Sequence, residues 1–133
     1  MSMKQADVDT LVRAYRRINK KMEQEEVLRQ DKSSARQRAH RGKTWFSVQV
    51  LDGLDNVDCD ELDMGHGDHC ILGQWWNKMD HDWDYYPQGY GDAVGYLELT
   101  NHQAIYLGFQ ANAGGSMDYN ELTEAWKKEL GCE

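Results

Sequence analysis

The stretch MKQADVDTLVRAYRRINKKM (residues 3–22) decides the fold class, because its apolar side chains recur at alternating spacings of three and four. That spacing places them along one face of an α-helix. Ser2 can cap the start of this helix, and residues 3–30 contain neither Gly nor Pro. We therefore predict a helix over residues 3–30. Its apolar face, called the apolar stripe below, consists of Val8, Leu11, Tyr15, Ile18 and Met22.

The apolar stripe needs a surface that covers it. It extends over only two heptads, which is too short for a stable isolated coiled coil. The stripe must therefore pack against the rest of the chain, against a second copy of the chain or against another protein. We interpret it as a partner-binding surface, which also allows a homo-oligomer through the N-terminal helix.

Charge and aromatic content divide the chain into two regions. Residues 1–43 carry 12 of the 15 Lys and Arg side chains and six acidic ones, a net charge of +6. Residues 44–133 carry three Lys side chains, 17 acidic ones and nearly all of the aromatic rings, a net charge of −14. We therefore predict a basic helical arm over residues 1–41 and an acidic, aromatic-rich helical domain over residues 42–133, with different partners.

The polar segment over residues 29–43 concentrates basic charge, with six Lys and Arg side chains against a single Asp. Such a segment can neutralise phosphates, so nucleic acid is one candidate partner. The residues that would contact it are Lys32, Arg36, Arg38, Arg41 and Lys43. Two other interpretations stay open: a solvated linker, and an arm folded back on the acidic side chains of the body.

Short helices are predicted in the body, so the fold class is mainly α: a small helical domain with a long N-terminal basic helix. The predicted helices cover residues 58–64, 70–79, 92–99, 101–109 and 118–130. Residues 44–54 could form helix or strand, and Gly108 leaves a strand as the alternative over residues 101–109. Thr100 is expected to cap the helix over 101–109, and Gly131 to end the last helix. No apolar run is long enough to cross a membrane, and residues 1–21 do not resemble a secretory signal. We expect no membrane partner and a cytoplasmic location.

Four side chains of the types that bind zinc lie near one another in the sequence. They are Cys59, His66, His69 and Cys70. Two of the four are adjacent and would have to point apart, and no C-x-x-C motif is present. We therefore expect a buried Cys70, two solvated histidines and no cofactor, with a zinc site as the alternative. Three cysteines are too few, and odd in number, for a disulfide framework.

Residues 75–90 combine six Trp and Tyr rings with three Asp side chains. Most of these rings are expected to fill the core of a small domain. Rings that remain exposed among acidic groups would suit a basic protein partner, since Tyr and Trp are common interface anchors. We predict that Trp83, Tyr85 and Tyr86 form a second partner contact.

A series of short motifs resembles one found in uncharacterised small proteins of actinobacteria and their phages. The motifs are L-D, then I-D-x-x-x-L-D-[LM], C-[VI]-L-G-Q, L-G-F and a closing Y-x-x-L-T-x-x-W. The matching segments are Leu51-Asp52, Val57-Asp58, Leu62-Asp63-Met64, Cys70 to Gln74, Leu107-Gly108-Phe109 and Tyr119 to Trp126. The resemblance covers residues 42–130 and departs from several of these proteins at Gly67, where they carry a second Cys. It implies a phage or a phage-exposed actinobacterium as the setting, without an activity.

No catalytic signature accompanies these features: neither Ser47 nor Ser116 has a Gly-x-Ser-x-Gly turn, and no phosphate-binding Gly-rich loop is present. The expected function is therefore that of a non-enzymatic phage or mobile-element accessory protein that binds a host macromolecule through protein–protein contacts. A nucleic-acid-binding module acting through the basic arm is one alternative. A zinc-stabilised domain or a metal-dependent enzyme is the other.

Overall fold

The computed structural model describes residues 5–81, 85–111 and 118–132, with side chains from Asp7 onward. Within these ranges the chain forms α-helices and turns without a β-strand, which confirms the predicted mainly-α fold. The helices are α1 (Gln5–Met22), α2 (Glu25–Arg29), α3 (Ala35–Gln49), α4 (Ile71–Lys78), α5 (Gly89–Tyr96), α6 (Asn101–Tyr106) and α7 (Tyr119–Leu130). None of the described helices is both long enough and apolar enough to cross a membrane.

Helix α3 is the central element, because it packs against α1, α6 and α7. Ala39 and Phe46 of α3 are fully buried. Gly42 lies between them, where a Cβ atom would meet the carbonyl oxygen of Leu107 and the ring of Trp126. The predicted boundary between arm and body at residues 41 and 42 therefore falls in the middle of one continuous helix.

Aromatic rings fill the core around α3. Phe46 packs edge-on against Trp75 of α4, with ring centroids 5.2 Å apart, and against Phe109, at 6.0 Å. Phe109 stacks on Trp126 of α7 at 5.6 Å. Trp126 in turn donates a hydrogen bond from its indole Nε1 to the Gly108 carbonyl oxygen at 2.6 Å. A few large rings thus join α3, α4 and α7 into one core.

The predicted N-terminal helix is interrupted. Helix α1 ends at Met22, and α2 begins at Glu25 after Gln24, whose φ of −108° and ψ of 86° are not helical. The break allows both Met22 and Leu28 to be buried, at 7% and 5% exposure. The prediction of one helix over residues 3–30 was therefore wrong at the point where the chain bends to bury two apolar side chains.

Other local predictions can be compared with the structure element by element. Thr100 and Asp118 cap α6 and α7 as N-cap residues, and Gly131 ends α7 with a left-handed backbone, φ 74°. Residues 44–49 belong to α3, whereas residues 58–64 form turns and no helix. The start of α6 and both ends of α7 were predicted to within one residue, because capping and stop signals act locally, whereas α6 ends at Tyr106, three residues before its predicted end.

Two motifs of the resemblance have structural roles. Cys70 is the N-cap of α4, and its Sγ accepts a hydrogen bond from the Gly73 backbone N–H at 3.3 Å. The buried amide of Gln74 accepts from the Asp58 N–H at 2.6 Å and donates to the His69 carbonyl at 2.8 Å. Gly108 has a φ of 74°, and a Cβ there would lie 2.7 Å from the backbone carbon of Arg38. These motif residues join loops and helices at close range.

A disulfide corrects the expectation drawn from the sparse cysteines. Cys59 and Cys132 are bonded across 73 residues, with Cα atoms 5.9 Å apart, a separation usual for disulfides. The bond ties the segment after α3 to the residue that follows α7. Cys70 is the free cysteine among the described residues.

Candidate polyanion-binding face

The apolar stripe is covered mainly by its own chain. Ile18 and Met22 are buried in the core, and Val8 and Leu11 are half-buried. The Tyr15 hydroxyl donates to the Gln49 side-chain oxygen of α3 at 2.7 Å. The contact between α1 and α3 is completed by Trp45, whose Nε1 donates to the Asn19 side chain at 2.9 Å. The stripe therefore fixes α1 on the body and leaves its opposite face to solvent.

Two of the predicted nucleic-acid contacts are internal. Arg38 is 3% exposed, and its guanidinium donates to the backbone carbonyls of Ser33, Asp31 and Ile105 at 2.9–3.2 Å. Arg41 donates to the Tyr106 carbonyl at 3.1 Å and to the Ser33 hydroxyl, and its guanidinium lies 4.0 Å from the centre of the Tyr106 ring. These two arginines connect the turn before α3 to α6. Arg38 is buried away from phosphates, whereas the Arg41 side chain remains 19% exposed.

Asp31 neutralises both arginines. Its carboxylate oxygens lie 3.4 Å from Arg38 and 3.6 Å from Arg41. Burial alone would raise the pKa of Asp31, but hydrogen bonds from Ser33 and the charges of Arg41 and Arg38 lower it overall. The carboxylate therefore stays ionised, and the pair of arginines is compensated inside the protein.

The remaining predicted contacts lie on the outer side of α3 or in the turn before it. Arg36 is 3.8 Å from the Glu129 carboxylate of α7, and Lys43 donates to the Glu129 backbone carbonyl at 2.9 Å. His40 lies between them and contacts the same carboxylate at 2.9 Å. Lys32 is exposed. Of the cations of α3, Arg36 and His40 thus face an acidic group of the body, the Glu129 carboxylate, whereas Lys43 contacts a backbone carbonyl.

Sequence reasoning missed a second set of cations, on α1. At about 100° per residue, five Lys and Arg side chains fall within about 140° of the helix circumference, opposite the apolar stripe. All five are exposed. We call this set the basic face; it consists of Arg13, Arg16, Arg17, Lys20 and Lys21. The signal was present in the i, i+3 and i+4 spacing of these cations, which is complementary to the spacing of the stripe.

The basic face has few internal partners. Arg13 donates a long hydrogen bond, 3.4 Å, to the Asp9 backbone carbonyl one turn earlier. The ion pairs formed by the described side chains include none with Arg16, Arg17, Lys20 or Lys21. This contrasts with α3, where an acidic side chain or a carbonyl compensates almost every cation. The positive potential of α1 is therefore directed at solvent.

A cleft of about 270 Å³ extends the basic face toward α3. Its lining combines four basic side chains with an apolar base. The basic side chains are Arg17, Lys21, His40 and Arg41, and the apolar base is formed by Ala14, Ile18 and Tyr106. This volume lies just under the ~300–1,000 Å³ of most small-molecule pockets. The cleft suits an anionic group that rests against the surface better than an enclosed substrate.

The four predicted metal ligands do not form one group. Cys59 is in the disulfide, and burial raises the pKa of the Cys70 thiol to about 11, which disfavours the metal-binding thiolate. His66 and His69 are exposed and stack on each other with ring centroids 4.2 Å apart. In the described parts of the chain, no three His, Cys, Asp or Glu side chains are placed to hold a metal ion.

The predicted second partner contact is described only in part. Trp83 lies outside the described residues. Tyr86 is 83% exposed, and Tyr85, at 41%, directs its hydroxyl to the Asp92 carboxylate. The structure thus places two of the three side chains at the surface, on the side of α4 and α5.

Comparison with known proteins adds no assignment, since no family model, no curated protein and no solved structure matches the chain at a significant level. The basic face is therefore judged by its own geometry and charge.

Proposed function

We propose that this protein is a non-enzymatic module that binds nucleic acid through the basic face of α1. The observation that carries the proposal is the exposure of five cations on one side of a helix whose other side is packed on α3. A helix fixed in this way presents its cations without an ordering cost for the backbone, which favours binding. The proposal adopts the alternative of a nucleic-acid-binding module in place of the expected protein–protein contact, and it moves the nucleic-acid contact from residues 29–43 to α1.

The dimensions of the face fit a phosphate backbone. From Arg13 to Lys21 the helix axis rises about 12 Å, at ~1.5 Å per residue. Duplex DNA carries about one charge per 1.7 Å of its axis, so several phosphates lie within reach of the five side chains. Contacts of this kind carry no base information, and we expect binding that is independent of sequence.

The acidic body does not prevent this contact at physiological salt. The chain has a formal net charge of −8, but exposed charges farther apart than about 8 Å are largely screened at ~0.15 M salt. The local charge at α1 therefore decides the interaction. The biological setting, a phage-encoded accessory factor in an actinobacterial host, is a part of the proposal that depends only on the resemblance of residues 42–130.

The experiment is a salt titration of binding to a fluorescein-labelled 20-base-pair duplex and to a 20-nucleotide single strand, followed by fluorescence anisotropy. The variant Arg13→Gln/Arg17→Gln/Lys21→Gln removes three cations from the basic face. We expect at least a tenfold loss of affinity and a decrease of up to about 3 in the slope of log K against log salt concentration.

The matched control removes three exposed cations elsewhere: Arg29→Gln/Lys32→Gln/Lys128→Gln. It changes the net charge equally and should change affinity less than about threefold, because these side chains lie away from the basic face. Equal losses in both variants would show a general charge effect and contradict the assignment to α1. Binding to anionic phosphatidylserine vesicles, with none to either nucleic acid, would reassign the face to a membrane surface.

A further inference from the structure

A row of aromatic rings lies at the surface on the side of α4 and α5. Tyr96 of α5 contacts Trp76 of α4 with ring centroids 5.3 Å apart. Trp76 contacts His81 at 4.8 Å, and His81 contacts Tyr85 at 5.1 Å, all with tilted planes. Tyr96 is 64% exposed and Tyr85 is 41% exposed. We call these four residues the aromatic row; its two ends, Tyr96 and Tyr85, are exposed to solvent.

A fixed carboxylate lies beside the row. Asp92 precedes Tyr96 by one helical turn, so both side chains lie on the same side of α5. The Asp92 carboxylate accepts hydrogen bonds from the Tyr85 hydroxyl and from the Gln88 backbone N–H, the latter at 2.9 Å. The hydrogen bond from Tyr85 is the main cause that lowers the pKa of Asp92, which keeps the group ionised. The row thus has an anionic group held at a defined position.

Trp76 contributes an unused hydrogen-bond donor. The residue is 8% exposed, and its indole Nε1 makes no hydrogen bond. Its side chain is close enough to Asp92 to lower the pKa of that carboxyl slightly, without a hydrogen bond of normal geometry between them. A buried donor without an acceptor is unfavourable, and native proteins usually satisfy such groups with a ligand or a water molecule. A peptide carbonyl approaching the row would supply the missing acceptor.

The acidic residues in the sequence around the row favour a cationic ligand. Residues 79–99 contain four Asp and one Glu and neither Lys nor Arg. The nearest lysine on α4, Lys78, is directed away, since its Nζ donates to the Asn56 carbonyl at 2.6 Å and to the Gln74 side chain at 3.3 Å. Among the described residues of this segment, the row thus has Asp92 beside it and no Lys or Arg.

We propose that the surface formed by Tyr96, Trp76, Tyr85 and Asp92 binds an arginine side chain in an exposed segment of a protein partner. A guanidinium is planar, stacks on aromatic faces and pairs with a carboxylate through two N–H groups, whereas an ammonium pairs as a point charge. Here the exposed ring and the carboxylate are one helical turn apart on α5, so one guanidinium reaches both. The inference is independent of the nucleic-acid contact, which lies on α1.

The test follows the indole N–H resonances of ¹⁵N-labelled protein in heteronuclear NMR, with that of Trp76 assigned from the Trp76→Phe spectrum. The probe is the peptide Ac-Gly-Arg-Gly-Arg-Gly-NH₂, and the control peptide carries citrulline, which is uncharged, in place of arginine. We expect the Trp76 resonance to shift in a saturable way with the arginine peptide. The affinity obtained from this shift should be at least tenfold lower for the citrulline peptide.

Two variants and two controls assign the effect to the row. Asp92→Asn and Tyr96→Ala should each lower the affinity for the arginine peptide at least tenfold. The controls Asp55→Asn and Tyr119→Ala, which change an exposed Asp and an exposed Tyr elsewhere, should leave that affinity unchanged. No Trp76 shift at about 10 mM peptide, or equal shifts with citrulline, would overturn the proposal. A Trp76 shift on raising protein concentration alone, abolished in the α1 triple variant, would overturn it too, because the occupant would then be a second copy.

Discussion

Two runs of basic residues lie on neighbouring helices, and the structure uses them in opposite ways. On α3, Arg38 and Arg41 are held inside the protein by Asp31 and by backbone carbonyls. On α1, cations such as Arg17 and Lys20 are exposed and form no ion pair with any described acidic side chain. The two runs are similar in composition. They differ in where their cations lie relative to the buried side of each helix.

The difference follows from what each helix buries. The buried side of α1 is an apolar stripe of large side chains that contacts α3, so the cations of α1 fall on the opposite side. The buried side of α3 includes small residues, among them Ala35, Ala39 and Gly42, which allow other backbone segments to approach closely. Arg38 lies three residues after one of these and four before another, and is buried with them. Because of this close packing, the charged side chain of Arg38 is buried and stabilises the fold.

The largest expected difference between the two runs is in their contribution to the free energy of unfolding, and the substitution Asp31→Asn measures it for α3. The substitution leaves the buried Arg38 guanidinium without its charged partner, and removing one member of a buried pair costs about 3–5 kcal/mol. Urea unfolding followed by circular dichroism measures the loss. The matched change on the other helix, Arg17→Gln, should alter the free energy of unfolding by no more than about 0.5 kcal/mol. Similar losses in both variants would contradict the contrast between α3 and α1.

The sequence predicted local features of this arrangement better than long-range ones. The predicted cap at Thr100 and the predicted stop at Gly131 follow from rules that act within one turn. The boundary between residues 41 and 42 was predicted from the split in charge and aromatic content, whereas Gly42 lies within α3 and permits contact with the Leu107 carbonyl and Trp126. That contact joins residues distant in sequence, which no local pattern reveals.

The candidate site was predictable only in part, for the same reason. The five cations of the basic face had helical spacing in the sequence, but the prediction rested on residues 29–43, which hold six Lys and Arg side chains against a single Asp. The Asp31 carboxylate, which neutralises Arg38 and Arg41, is only a few residues away, yet its role depends on the turn between α2 and α3. The number of basic residues in a segment is therefore a poor guide to whether their side chains are available to bind a ligand.

A second prediction concerns the attachment of α7, which holds the outer cations of α3 through Glu129. The Cys59–Cys132 disulfide ends three residues after Glu129 and closes a long loop. Removing it with Cys59→Ser/Cys132→Ser should lower the free energy of unfolding by about 2–4 kcal/mol, the usual range for such a bond. Comparison of this variant with the oxidised protein by urea unfolding measures the loss. An unchanged midpoint would show that the disulfide does not support α7.

Acid should act on α3 through Asp31. Because the folded-state pKa of Asp31 lies below its ordinary value of 3.8, the carboxylate contributes stability that is complete above that value. The contribution is lost as the pH falls through the lowered folded-state pKa. The difference in unfolding free energy between the parent protein and Asp31→Asn should therefore be constant near neutral pH and shrink below 3.8. A difference that is independent of pH down to about 2 would contradict the assigned role of the carboxylate.

The smallest expected effect concerns Arg36 and His40 of α3. It tests whether removing their acidic partner makes these side chains available to phosphates, as the cations of α1 are. Glu129→Gln removes the carboxylate that faces Arg36 and His40. Since Arg36 is exposed, the loss in stability should stay within about 1 kcal/mol. Affinity for the labelled duplex should rise by about twofold to threefold, because Arg36 loses its acidic partner and becomes available to phosphates. Glu61→Gln, which makes the same charge change at an exposed site in another part of the body, is the control. A gain confined to Glu129→Gln would show that internal compensation, and not the number of cations, is what keeps α3 from acting as α1 does.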